Sequence, residues 1–145
     1  MSQIYNRKLL FLLFLINILL TSCKEKEPFP IPNVPVNILL NLDLPSYQAL
    51  NASGGWVYVD GGSRGIVVYR NFDNFVALDR HSTVNSEDTC AYVKVDTTNF
   101  FYLNDNCSPS VYSIIDGTVV EGPAKWGLKQ YTTSWDGQFS LHIYN

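Results

Sequence analysis

Hydrophobic positions follow two different rules along this chain. Between residues 9 and 20 they are almost continuous, broken only by Asn17. From residue 36 onward they come in short runs separated by Gly, Pro, Asn and Asp. Short runs rich in Val, Ile, Tyr and Phe between such breakers predict β-strands. Residues 36–44 partly alternate and stop at Pro45. Trp56-Val57-Tyr58-Val59 and Ile66-Val67-Val68-Tyr69 flank Asp60-Gly61-Gly62-Ser63-Arg64-Gly65, a glycine-rich hairpin signal. Further strands are expected at 75–78, 92–95, 100–103, 118–120, 131–134 and 139–144, with Asp136-Gly137 as a two-residue turn between the last two. No window sustains a helical period, and at most one turn of helix fits near residues 46–50. The expectation is an all-β fold of small antiparallel sheets, sandwich-like or barrel-like, with no internal repeat.

The first apolar run has a different meaning. Arg7 and Lys8 precede it, and it ends at Leu20-Thr21-Ser22-Cys23. It falls short of the roughly 20 apolar residues of a comfortable membrane span. The pattern looks like a bacterial lipoprotein signal: cleavage before Cys23, then lipid on its sulfur and on its new amino terminus. An uncleaved signal anchor with an incidental cysteine is the other reading. Each buried acyl methylene contributes about 0.8 kcal/mol, so several chains anchor stably without a spanning helix. Lys24-Glu25-Lys26-Glu27 then reads either as a solvated spacer or as similar to the charged signals that send lipoproteins of the Bacteroidetes type to the cell surface. Pro28, Pro30, Pro32 and Pro35 favour an extended tether that holds the domain off the membrane. The expected organisation is a signal peptide at 1–22, a lipidated cysteine and Pro-rich tether at 23–35, and one β domain at 36–145. The expected location is the bacterial outer membrane, periplasmic or surface-exposed.

Charge narrows the partners. The chain has 10 basic and 13 acidic residues. Loss of Arg7 and Lys8 with the leader leaves 8 against 13, or −5. No basic patch is visible, so nucleic acid is not an expected partner. The mild acidity supports solubility. Beyond the membrane itself, other envelope proteins are the candidate partners.

With Cys23 taken by lipid, Cys90 and Cys107 remain, an even pair in an oxidising compartment. A disulfide between them would contribute about 3 kcal/mol on the chain-entropy model. Two separate thiols, or participation in a metal site, are the alternatives, although neither cysteine belongs to a Cys-x-x-Cys pair.

Two segments and a following run carry a family resemblance. The first is Val76-Ala77-Leu78-Asp79-Arg80, followed by His81-Ser82-Thr83-Val84. The second is Asp105-Asn106-Cys107-Ser108-Pro109-Ser110-Val111-Tyr112. An Asp116-Gly117 turn and then Gly122-Pro123-Ala124, Leu128 and Tyr131 follow. Together they resemble the two cluster-binding loops and the downstream motif of Rieske iron–sulfur domains, over about half of the mature chain. The resemblance implies a Rieske-like β fold with two loops joined by a disulfide. In that family the first loop carries Cys-x-His after the Asp-Arg, and the second reads Cys-Pro-Cys-His-Gly-Ser-x-Phe/Tyr. Here the ligand positions of the first loop fall on Ser82 and Val84, and those of the second on Asp105 and Ser108. Cys107 falls on the non-ligand cysteine, which in cytochrome bc-type members bridges the loops. Cys90 is its candidate partner, farther along the first loop than is usual.

A Rieske centre takes two thiolates and two imidazoles. Serine and valine supply neither, and one carboxylate is not a site for a hard metal. His81 and His142 are the two histidines of the chain, and His142 lies far from both loops. Asp79, His81 and Ser82 are the residue types of a hydrolytic triad, but neighbours on one extended segment point in alternating directions. The aromatics, Trp126 and Trp135 among them, are expected mostly in the core, with a surface contact patch as the rival reading. The Asn51-Ala52-Ser53 triplet is glycosylation-like but carries no weight in a bacterial lipoprotein. The functional expectation is a lipid-anchored envelope protein with no catalytic residues and no cofactor, in a binding or structural role. The alternative is a [2Fe-2S] electron carrier with atypical ligands.

Overall fold

The computed structural model describes residues 28–145. The expected signal peptide, the candidate lipidation residue Cys23 and the charged run 24–27 lie outside the described residues.

The strongest hydrophobic runs lie at the centre. Strands β1 (Asn37–Asn41), β2 (Trp56–Val59), β3 (Ile66–Asn71) and β4 (Asn74–Asp79) come first, with a 3₁₀ helix (Pro45–Asn51) after β1. They are followed by β5 (Val93–Val95), β6 (Tyr102–Asp105), β7 (Val111–Ser113), β8 (Val119–Glu121), β9 (Gln130–Trp135) and β10 (Ser140–Tyr144). Six strands form an antiparallel sheet in the order β1-β10-β9-β4-β3-β2, and four form a second in the order β5-β6-β7-β8. The fold is all-β, its larger sheet curled into a half-barrel.

β3 and β4 have apolar residues on both faces because both faces are covered. Ile66, Val68, Phe75 and Ala77 point into a core shared with Leu40, Leu50, Leu141 and Ile143. Val67, Tyr69, Val76 and Leu78 point the other way, onto Val93, Leu103, Tyr112 and Ile114 of the small-sheet region. A strand buried on both sides reads as a continuous apolar run rather than an alternating one. The chain leaves the large sheet after β4, builds the small sheet and its loops, and returns as β9, paired directly with β4.

Three local features depart from the expectations. β7 is a strand where only a motif was read, because three residues give too short a pattern. The connection between β9 and β10 occupies residues 136–139 rather than two residues. Asp136 organises it by accepting from the backbone N–H of Gln138 and of Ser140 at 2.8 and 3.0 Å. The proline-rich residues take no regular secondary structure, bend at Pro30 and Ile31, and lie along the domain. Ile31 is buried, and Pro30 O accepts from Ser86 Oγ at 2.8 Å.

Candidate functional site: the two-loop end

Loop one (80–92) follows β4, and loop two (106–110) joins β6 to β7. Cys90 and Cys107 are disulfide-bonded across them, with Cα atoms 5.5 Å apart. Residues 122–128 close over the same end. Gly122 has φ +95°, and a Cβ there would meet Ser110 Cα at 2.5 Å and Pro109 O at 2.6 Å. A side chain at that position would push the 122–128 segment off loop two.

Three of the four residues at the ligand positions meet under the disulfide. Ser82 is fully buried and donates its hydroxyl to Asp105 Oδ2 at 2.8 Å. Ser108 Oγ donates to the same oxygen. The backbone N–H of Cys107 donates to Oδ1 at 3.1 Å. Val84 takes part through its backbone, its N–H donating to Ser82 Oγ at 3.2 Å. The network extends to two hydroxyls, of Tyr112 and Thr83, to which the sequence reading gave no role beyond their places in the motif segments. Tyr112 OH lies 3.3 Å from Ser82 Oγ and 3.1 Å from Thr83 Oγ1, and Thr83 donates to Trp126 O at 2.6 Å. The available signal was Tyr112 itself, a hydroxyl at the buried position of a short strand.

Asp105 is held in this buried position by three donors. That is how a buried carboxylate avoids the cost of leaving water. The same donors occupy the space between the loops. Among the described residues every buried side-chain nitrogen and oxygen has a hydrogen-bond partner.

A second polar cluster lies beside the first. Asp79, the last residue of β4, is fully buried. It accepts from the backbone N–H of Ser63 (2.7 Å), Arg64 (3.3 Å) and His81 (2.9 Å), and from Tyr131 OH (2.7 Å). Burial, and then the Asp79 carboxylate, push the Tyr131 hydroxyl well above the ordinary tyrosine range. Gly62, at φ +61°, makes room: a Cβ there would meet Asp79 Oδ2 at 2.5 Å and Tyr131 OH at 2.6 Å. His81 is buried, with Nδ1 2.7 Å from Ser63 Oγ and Nε2 2.7 Å from Ser86 O. Asp79, His81 and Ser82 therefore serve three different partner sets and do not converge as a triad.

Nor does the donor set fit an iron–sulfur cluster. The positions offer two hydroxyls, one carboxylate and one alkyl group, against a need for two thiolates and two imidazoles. Both described cysteines are in the disulfide. His81 is turned toward Ser63 and Ser86, and His142 bonds Asn37 Oδ1 at 2.6 Å on the β1–β10 pair. Among the described residues no group of three or more His, Cys, Asp or Glu is placed to hold a metal ion.

Trp126 and Trp135 are both half-buried. Phe29 packs edge-on against Trp126 at 6.0 Å, and Arg70 covers Trp135 at 4.3 Å. The freely exposed aromatics are others: Phe72 (76%), Phe100 (54%) and Phe101 (55%). No helix among the described residues is long and apolar enough to cross a membrane. No protein-family model matches the chain, and no curated protein is significantly similar to it.

Proposed function

We propose that this chain is a lipid-anchored cell-envelope protein whose Rieske-like domain has lost its iron–sulfur cluster and serves a binding or structural role. The observation that supports the reading most is convergence. Ser82 of loop one and Ser108 of loop two donate to the same carboxylate oxygen of Asp105, the last residue of β6. They are three of the positions at which the resemblance puts ligands. An unrelated β-sandwich has no reason to bring those positions together beneath a disulfide at Cys107.

The substitutions are coherent as a set. Two serines and an aspartate form an internally satisfied cluster, which replaces metal bonds with hydrogen bonds and keeps the loops in register. The same chemistry argues against hydrolysis. Ser82 is paired with a carboxylate and a phenol, and no imidazole faces it.

The test is restoration. A variant carrying Ser82→Cys, Val84→His, Asp105→Cys and Ser108→His, reconstituted anaerobically with iron and sulfide, is expected to give a red-brown protein with a Rieske-type paramagnetic signal on reduction. The parent chain treated identically serves as control. A variant that folds with its disulfide intact yet takes up no cluster overturns the Rieske-like reading.

A further inference from the structure

The proline-rich stretch packs along the domain. Its docking begins at the carboxy-terminal strand pair, where Asn145 Nδ2 donates to Val34 O at 2.9 Å. Lys129 Nζ then donates to Asn33 Oδ1 at 2.6 Å, and Ile31 is buried. Ser86 of loop one donates to Pro30 O at 2.8 Å, and Phe29 ends against Trp126. The arm thus runs from the start of β1 toward the two-loop end, and the chain leaves the domain there. Cys23 precedes Phe29 by six residues, which reach about 20 Å when fully extended.

We infer that residues 29–35 form a docked arm that turns the two-loop end of the domain toward the lipid surface and points the β3–β4 turn away from it. The inference rests on the lipid-anchor reading of Cys23. If the anchor is at Cys23, the chain lets the two-loop end stand no farther than about 20 Å from the bilayer. The β3–β4 turn lies a further strand length away, six residues at about 3.3 Å each. That turn carries the exposed Phe72. Near it lies a groove of about 300 Å³ lined by Gly54, Tyr69, Phe100 and Phe101, which the same orientation leaves facing away from the membrane. The direction of the domain comes from packing and chain length rather than from charge. The loop-end surface mixes Glu87 and Asp88 with Lys125 and Lys129.

The experiment uses the full chain, processed in a lipoprotein-competent bacterial host and reconstituted into vesicles whose headgroups carry a fluorescence acceptor. One donor dye is placed on Glu87→Cys in loop one, or on Asp73→Cys in the β3–β4 turn. Mass spectrometry first reads the modification of Cys23. With lipid on Cys23, energy transfer from position 87 is expected to exceed that from position 73 several-fold, with little change on adding salt or anionic lipid. Ile31→Asp, which undocks the arm, is expected to bring the two positions close to equality. Equal transfer from both positions in the parent chain overturns the orientation and leaves the anchor reading standing. An unmodified Cys23 overturns the anchor reading and the orientation with it.

Discussion

Two buried carboxylates end two strands of this domain, and they are held in different ways. Asp79 closes β4 in the large sheet. Three of its four donors are backbone N–H groups, from the β2–β3 hairpin and from the start of loop one. Asp105 closes β6 in the small sheet. Two of its three donors are serine hydroxyls from the two loops. Backbone donors lock a position into the path of the chain, whereas hydroxyl donors can be exchanged one side chain at a time. Asp79 belongs to a framework that the fold cannot give up. Asp105 belongs to a set of side chains that stands where the resemblance puts a cofactor, and that could change as a group while the strands around it stayed in place.

The comparison can be broken most forcefully at Asp79. Asp79→Ala leaves three backbone donors and the Tyr131 hydroxyl without their acceptor. Each buried unsatisfied group costs about 1–3 kcal/mol, and partial relaxation brings the expected total to about 4 kcal/mol in urea unfolding. Next is the clamp over the second network. Cys90→Ser with Cys107→Ser is expected to cost about 3 kcal/mol, the loop-closure value for a 17-residue separation, with the small sheet losing hydrogen-exchange protection before the large one. Asp105→Ala is expected to cost less, about 2 kcal/mol, because the hydroxyls of Ser82 and Ser108 can rotate to other acceptors. A cost at Asp105 equal to or above that at Asp79 would erase the distinction between framework and exchangeable network.

The smallest effect sharpens the Asp79 side. Tyr131 keeps its proton in the fold beyond the pH of about 10 at which an unfolded tyrosine ionises. Below that pH both states are protonated and its contribution to stability is complete. Above it the unfolded chain alone releases a proton, so the contribution falls by at most about 1.4 kcal/mol per pH unit. The stability advantage of the parent chain over Tyr131→Phe is therefore expected to be constant to about pH 10 and to shrink above it, read by denaturant titrations at matched pH. A constant difference through that window would mean that Tyr131 ionises normally in the fold.

Much of this was legible in the residues, and what was not has physical reasons. The runs at 56–59 and 66–69 and the glycines between them define a hairpin, because β-rich runs and turn chemistry agree locally. The cysteine pair was legible by counting. Which hydroxyls extend the Asp105 network was not: Thr83 and Tyr112 reach it from loop one and β7, and no local pattern reports a meeting 29 residues apart in the chain. The arm illustrates the same limit. Its prolines announce an extended backbone, but the chain bends at Pro30 and Ile31, and Ile31 is buried because the domain offers a place for it. The two-residue turn at Asp136-Gly137 was displaced by Asp136, whose carboxylate holds a wider loop. The tryptophans were weighed for surface contacts. Phe72, which holds a left-handed φ of 52° in a tight turn, and Phe100 and Phe101 are the most exposed aromatic residues among those described.

On the proposed reading, hydrogen bonds among Ser82, Asp105 and Ser108 stand where the resemblance puts a metal cluster. The most direct test takes the protein from its native host, purified anaerobically, and assays iron and acid-labile sulfide alongside absorbance and electron paramagnetic resonance spectra of the reduced protein. The account predicts a folded, colourless protein with iron and sulfide far below one equivalent and no paramagnetic signal. Stoichiometric iron and sulfide with a reducible signal would contradict it and make the chain an electron carrier.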